Sequence, residues 1–316
     1  MSLFTPESLR YLESHHGVAT IETLKSLGLT TFGIRRLVEC GNLDPVLRGV
    51  YRIPAVPFDE AARCAAVCAA HPELVISGPT AGRVWGLRRL PRDERIHVIA
   101  PPGGRPTTSR WVLPFRTAAI RDEDRVVRPD GIVVATRQRT ALDLTRHVGS
   151  ADLLSIIEQV MHDGPVSDDQ MRRVAVEWMT PGRPWVRRYL RTLNRRVPGG
   201  PAESHQESVV GDALAAAGLC GLERQHEIDL PGYGPARFDL AVPRVCLAIE
   251  IDLFPTHRET RGRRRDAWRD DAAASVGWAV ERLLEPDLGS ALPATVSRLL
   301  ALVQARSMSL DADGSR

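Results

Sequence analysis

The segment RFDLAVPRVCLAIEID, Arg237 to Asp252, constrains the fold of this chain more than any other. It reads as two short strands joined at Pro243-Arg244. Side chains in a strand alternate between faces with period two. In the second run Val245, Leu247, Ile249 and Ile251 share one face, and Cys246, Ala248, Glu250 and Asp252 take the other. In the first run Phe238, Leu240 and Val242 are the apolar set and Asp239 lies opposite. A hairpin therefore gathers three acids on one side of an apolar sheet. Carboxylates in such strands are costly unless paired, hydrogen-bonded or bound to a cation. A divalent metal would relieve their repulsion. Exposure at strand ends, or pairing with the chain's many arginines, would do the same. The segment alone leaves both arrangements open.

At 316 residues the chain is long enough for two or three domains. No apolar run approaches the roughly 18 residues of a membrane span. The opening MSLFTPESLR lacks the basic and apolar regions of a signal peptide. Five scattered cysteines do not form a disulfide framework, so a reducing cytoplasm is expected. Net charge is only +3, yet Lys25 is the sole lysine. A GC-rich genome would produce that bias without a functional reason. The bias excludes any mechanism that needs a lysine beyond the N-terminal region. Arginine also suits bidentate contacts to phosphate and guanine.

Residues 5 to 53 carry a compact pattern. Thr5-Pro6-Glu7 starts a helix that stops at Gly17. Thr20 can cap a second helix ending near Gly28, and Thr30 a third, TTFGIRRLVEC, ending at Gly41. A turn and the strand-like VLRGVYRI follow. Three short helices and a hairpin are the order of a winged helix-turn-helix. On the third helix Ile34, Leu37 and Val38 share one face. Thr31, Phe32, Arg35 and Arg36 are candidates for the face a recognition helix offers to the major groove. Arg48 and Arg52 on the wing would meet phosphate. A small helical domain with a solvated basic face is the alternative.

Residues 56 to 197 predict an α+β middle domain. Helices are expected over 58 to 70, after SGPT at 77 to 80, over 140 to 147, over 150 to 161, and over 167 to 197 with a break at TPGRP. RIHVIAP and GIVVAT read as strands. Cys64, Cys68 and His71 fall on one helical face, but no fourth ligand is near, so small buried residues are expected rather than zinc. The stretch RVPGGPAE, 196 to 203, marks a boundary. Beyond it the predicted order is αβββαβα, followed by a polar tail.

Several stretches of this last unit resemble the PD-(D/E)xK nuclease fold, most closely its very short patch repair endonuclease-like branch. AESHQESVVGDALAAAGL resembles the opening helix, FDLAVP the aspartate strand and LAIEID the E-x-D strand. RRRDAWRDDAAASVGWAVERL resembles the helix and strand that follow, with Asp266 at the family's spacing from Gly277-Trp278. At the N-terminus GLTTFGIRRLVECGNLDPVLRGVYRI is similar to the winged helix of AbiEi-type antitoxins, and RTALDLTRHVG to a stretch of their middle domain.

The resemblance implies an α+β multidomain protein. Its parts would be a winged-helix DNA-binding domain at 1–55, an α+β connecting domain at 56–197, a restriction-endonuclease-like α/β/α domain at 201–308 and a disordered tail at 309–316. It implies Asp239, Glu250, Asp252, His257 and Glu207 as catalytic residues, with Asp239 and Glu250 holding Mg²⁺ or Mn²⁺ for phosphodiester hydrolysis. Arg261, Arg264 and Arg265 on the basic helix would grip the DNA backbone. A solvated helix face is the alternative for them and for Glu207, and an exposed loop histidine for His257. Asp252 occupies the position where the usual E-x-K lysine would orient the nucleophile, which leaves His257 as the available proton-transfer group. One departure bears on activity: Leu253 stands where the branch has a glycine that turns the chain. The expected partners are double-stranded DNA, a toxin protein and a second copy of the chain, with no membrane. The alternative function is an AbiEi-like antitoxin or transcriptional regulator whose nuclease-like unit is inactive and serves binding.

Overall fold

The computed structural model describes residues 4–103, 109–118, 120–176, 178–179, 183–252 and 260–313, with backbone alone at 260–264 and 311–313. The chain divides into two compact units, Met1–Val148 with Arg173–Arg183, and Gly149–Arg172 with Pro184–Arg316. Among the described residues no helix is long and apolar enough to cross a membrane.

The first unit opens with α1 (Pro6–Ser14), whose N-cap Thr5 accepts from the Ser8 N–H. It stops where Gly17 takes a φ of +73° and donates to the Leu12 carbonyl at 2.7 Å. A Cβ there would lie 2.8 Å from Val56, so only glycine fits this turn. A short strand that the sequence did not predict follows, β1 (Val18–Thr20). Three residues are too few for a period to register, and its partner lies some thirty residues later. Thr20 then caps α2 (Ile21–Ser26), and Thr30 caps α3 (Thr31–Glu39). The hairpin β2 (Asp44–Leu47) and β3 (Val50–Arg52) closes an antiparallel sheet of order β1-β3-β2. Leu12, Leu24, Ile34, Leu37 and Leu43 form the core of this module.

Further along, α4 (Glu60–Ala70) is capped by Asp59, and α5 (Gly78–Val84) follows. A five-stranded sheet has the order β6-β5-β4-β8-β7. Its strands are β4 (Val75–Ile76), β5 (Ile96–Ala100), β6 (Val112–Arg116), β7 (Arg125–Val127) and β8 (Val133–Ala135). Only β5 and β8 were predicted. β4 and β7 are too short to show alternation, and β6 is interrupted by Pro114. On α6 (Arg137–Leu144) the fully buried Arg139 is held between Asp124 and Asp143.

The second unit begins with α7 (Ser150–Asp163), which lies ahead of the Pro/Gly stretch that the sequence marked as a boundary. After it come α8 (Asp168–Val176), which runs across the division between units, and α9 (Pro184–Asn194). The buried Glu158 of α7 accepts from Arg196 Nε at 2.9 Å and from the Ala202 N–H at 3.0 Å, and it pairs with the buried Arg224. These contacts tie residues 196–202 to α7.

The predicted order of the remaining elements is found. α10 (His205–Ala216), β9 (Glu223–Leu230), β10 (Gly234–Val242), β11 (Leu247–Ile251), α11 (Thr260–Ser275), β12 (Ala279–Leu283) and α12 (Leu292–Asp313) follow one another. The sheet order is β12-β11-β10-β9, with β11 and β12 parallel. One face packs Leu240, Val242, Leu247 and Ile249 with Val210 and Leu214 of α10 and Leu299 and Val303 of α12. The other packs Phe238, Ala241 and Ala248 with Ala272 and Ala273 of α11 and with Trp278. α12 runs to Asp313, so residues 309–313 are helical where an unstructured tail was expected. No Gly or Pro interrupts them, and extending a formed helix costs little.

The alternation predicted for β11 holds, but β10 changes face at Asp239. Phe238 stacks on Trp278 with ring centroids 5.6 Å apart, whereas Leu240 packs with the α10 side. Opposite, Phe238 pairs with His226 and Leu240 with Arg224, while Gln225 between them has a φ of +50°. A left-handed residue breaks the pleat as a bulge does, and the strict period is lost there.

Candidate functional site

Two groups of residues carry chemistry. The first is the outer face of α3. Its helix starts because the Thr30 hydroxyl accepts from the Gly33 N–H at 3.0 Å, a cap that contributes about 1 kcal/mol. Ile34 and Leu37 are buried, which seats the helix at roughly 1.5–3 kcal/mol each. That orientation leaves Thr31, Phe32, Arg35 and Arg36 exposed, Phe32 at 75%. An aromatic so exposed beside two arginines suits a groove with phosphate walls and apolar base edges. Arg35 pairs with Glu39 one turn on at 3.0 Å, in the open. Arg48 is exposed at the β2–β3 turn. Arg52 is not: its guanidinium is bound to Asp44 at 2.8 Å, donates to the Val56 carbonyl and lies over the Phe58 ring. It fastens the wing strand and is not offered to phosphate.

The second group lies where the carboxyl end of β11 meets the middle of the antiparallel β10. At the break in the pleat, the Asp239 Oδ2 accepts the Ile251 N–H at 2.9 Å. Burial, reinforced by Glu250, Glu207 and Glu203, pushes its carboxyl up to about 7 despite that hydrogen bond. Glu250 faces α11, where Arg269 Nη2 meets its Oε2 at 3.2 Å. Burial raises its carboxyl too, and Arg269 opposes the rise. The Glu250 Oε1 is buried with no hydrogen-bond partner among the described residues. Glu207 is buried at the start of α10, not on a solvated face. It accepts from the Glu203 N–H at 2.9 Å and from Gln225 Nε2 at 3.0 Å, so its carboxylate closes the helix start. Asp252 is half-buried and donates its N–H to the Leu283 carbonyl. His257 lies outside the described residues, as do the side chains of Arg261 and Arg264. Arg265 is exposed, with its Nε 3.3 Å from the Tyr233 hydroxyl.

A divalent ion needs several oxygen donors within about 2.0–2.6 Å. The orphaned Glu250 Oε1 is one such donor. Its partner oxygen is already taken by a guanidinium, and one Asp239 oxygen by a backbone N–H. Among the described residues no three His, Cys, Asp or Glu side chains converge to hold a metal. The residues described do not complete the ligand set that the nuclease resemblance implies. In the first unit Cys64 and Cys68 are buried thiols raised by desolvation, Cys68 to about 11, as expected of packing residues.

The pairing of Glu250 with Arg269 was missed from sequence, although a signal existed. Arg269 lies three and four residues before the buried Ala272 and Ala273 and so shares their helical stripe. The buried arginines 139 and 224 carried no such signal.

Residues 7–54 match the family model of the transcriptional regulator, AbiEi antitoxin. Among curated proteins no relative matches. Among solved structures the chain aligns with the crystal structure of the RV2827C protein from Mycobacterium tuberculosis, with 17% identity and a TM-score of 0.38. The alignment covers 66% of this chain and 82% of that one.

Proposed function

We propose that this protein is a DNA-binding transcriptional regulator of the antitoxin type, with residues 4–53 acting as a winged helix. The observation that carries this reading is the division of α3. Ile34 and Leu37 anchor it, and Thr31, Phe32 and Arg36 stand free on its outer face within the segment that matches the AbiEi family model. α3 would lie in the major groove, and Arg48 at the turn would meet the flanking phosphate. The C-terminal unit would serve contacts, to a toxin partner or to a second copy, and not hydrolysis. The donor set around Asp239 and Glu250, incomplete among the described residues, favours this over the metal-dependent nuclease that the resemblance implies.

The test is protection of the DNA upstream of the protein's own coding sequence, measured by footprinting and by mobility shift. A protected site lost in Phe32→Ala and Arg36→Ala supports the reading, and binding indifferent to both removes it. In the same preparation, plasmid with Mg²⁺ or Mn²⁺ should remain supercoiled. Nicking abolished by Asp239→Ala and by Glu250→Ala would restore the nuclease.

A further inference from the structure

We propose that Arg269 is the resident cation of Glu250, one of the two acids to which the resemblance would give a divalent metal. Glu250 is inserted from the sheet towards α11, and its side chain is 13% exposed. A carboxylate so placed needs a positive partner. Among the described residues two arginines act on it. Arg282 is its neighbour across the parallel β11–β12 pair, but both its terminal nitrogens are bound to Asp270 of α11, one of them at 2.9 Å. Among the described residues Arg269 is therefore the cation left for Glu250. Its side chain is 15% exposed, its Nη2 is 3.2 Å from Oε2, and its guanidinium lies over the Phe238 ring, 5.6 Å from the centroid.

Phe238 holds that position only because β10 changes face at Asp239. The break that turns Asp239 to the Ile251 backbone thus also builds the wall behind Arg269. A metal ion bound at the Glu250 Oε1 would have to bury a second positive charge beside a covalently tethered, ring-backed guanidinium. Arg269 balances the charge of Glu250 without a metal. The inference is independent of DNA binding, and loss of promoter recognition would leave it untouched.

The test uses the full chain and Mn²⁺ as probe, with binding read by electron paramagnetic resonance of free Mn²⁺ and stability by thermal melting. Wild type should bind no Mn²⁺ in a manner that depends on Glu250, and its melting temperature should not move with millimolar Mn²⁺. Arg269→Gln should melt lower. Adding Glu250→Gln to it should recover about half of the loss or more, because neighbours that act as a pair are not additive. Arg269→Gln alone should gain Mn²⁺-dependent stabilisation, which the double variant lacks. Saturable Mn²⁺ binding by wild type that disappears in Glu250→Gln would overturn the proposal. So would strictly additive losses in the two single variants. If Arg269→Gln fails to fold, the wild-type titration with its Glu250→Gln control still decides.

Discussion

The guanidinium of Arg139 lies 3.4 Å from the ring centroid of Trp178, with Asp143 on its Nε at 3.2 Å and Asp124 on its Nη1 at 3.1 Å. All four side chains are buried. A stacked, doubly paired arginine satisfies two acids that would otherwise be stranded in the interior. Arg139→Ala should cost about 3–5 kcal/mol because it takes a buried ion-pair partner from both carboxylates at once. Asp143→Asn should cost less, since Asp124 keeps one pair. Urea unfolding of the two variants against wild type measures the difference.

Arg36 and Arg52 are both arginines of the N-terminal module, yet they should behave differently. Arg36→Ala should weaken DNA binding about tenfold and lower the salt slope by about 1, the behaviour of one lost phosphate contact. Arg52→Ala should leave the salt slope unchanged and lower stability instead, because Asp44 and Phe58 hold that side chain. Binding isotherms at several salt concentrations, alongside melting curves, separate the two.

Asp239 makes the fold sensitive to pH. Its carboxyl is pushed up to about 7, above the ordinary value of 3.8, first by burial. A raised carboxyl favours the protonated fold. Its contribution is fully present below the ordinary range and is lost as pH rises through about 7. Asp239→Asn keeps an acceptor for the Ile251 N–H and removes the charge. It should be more stable than wild type at pH 8 by roughly 1–3 kcal/mol and nearly equal to it at pH 4. Unfolding at the two pH values gives the comparison, and superimposed profiles would show an unshifted carboxyl.

Gly199 sits in the stretch tied to Glu158, at a φ of +106°. A Cβ there would stand 2.1 Å from the Arg224 carbonyl oxygen, in rigid backbone. Gly199→Ala should therefore cost about 3 kcal/mol or more. Gly232→Ala, also at positive φ but with open space around it, should cost only about 1 kcal/mol. Paired melting of the two variants isolates the steric part.

The sequence by itself determined what depends on near neighbours. The threonine caps of α1, α2 and α3 are set by hydroxyls three residues from the N–H they receive. The buried stripe of α3, the order of elements from α10 to α12 and the alternation of β11 follow from periods of 3.6 and 2. The match of residues 7–54 to an AbiEi antitoxin model agrees with the likeness legible in GLTTFGIRRLVECG. Which charge meets which was decided by the tertiary structure alone. Glu250 could have been bound to a metal, exposed or paired with any of many arginines. Only the packing of α11 on the sheet put Arg269 against it. Asp239 kept no fixed face, because Gln225 in the neighbouring strand turned left-handed and broke the period. Arg139 with Trp178 and Glu158 with Arg224 are separated by 39 and 66 residues, and neither pair leaves a trace in local pattern. The physical reason is the same in each case. The cost of burying a charge is met by whichever opposite group the folded chain brings within reach, and that distance exists only after folding.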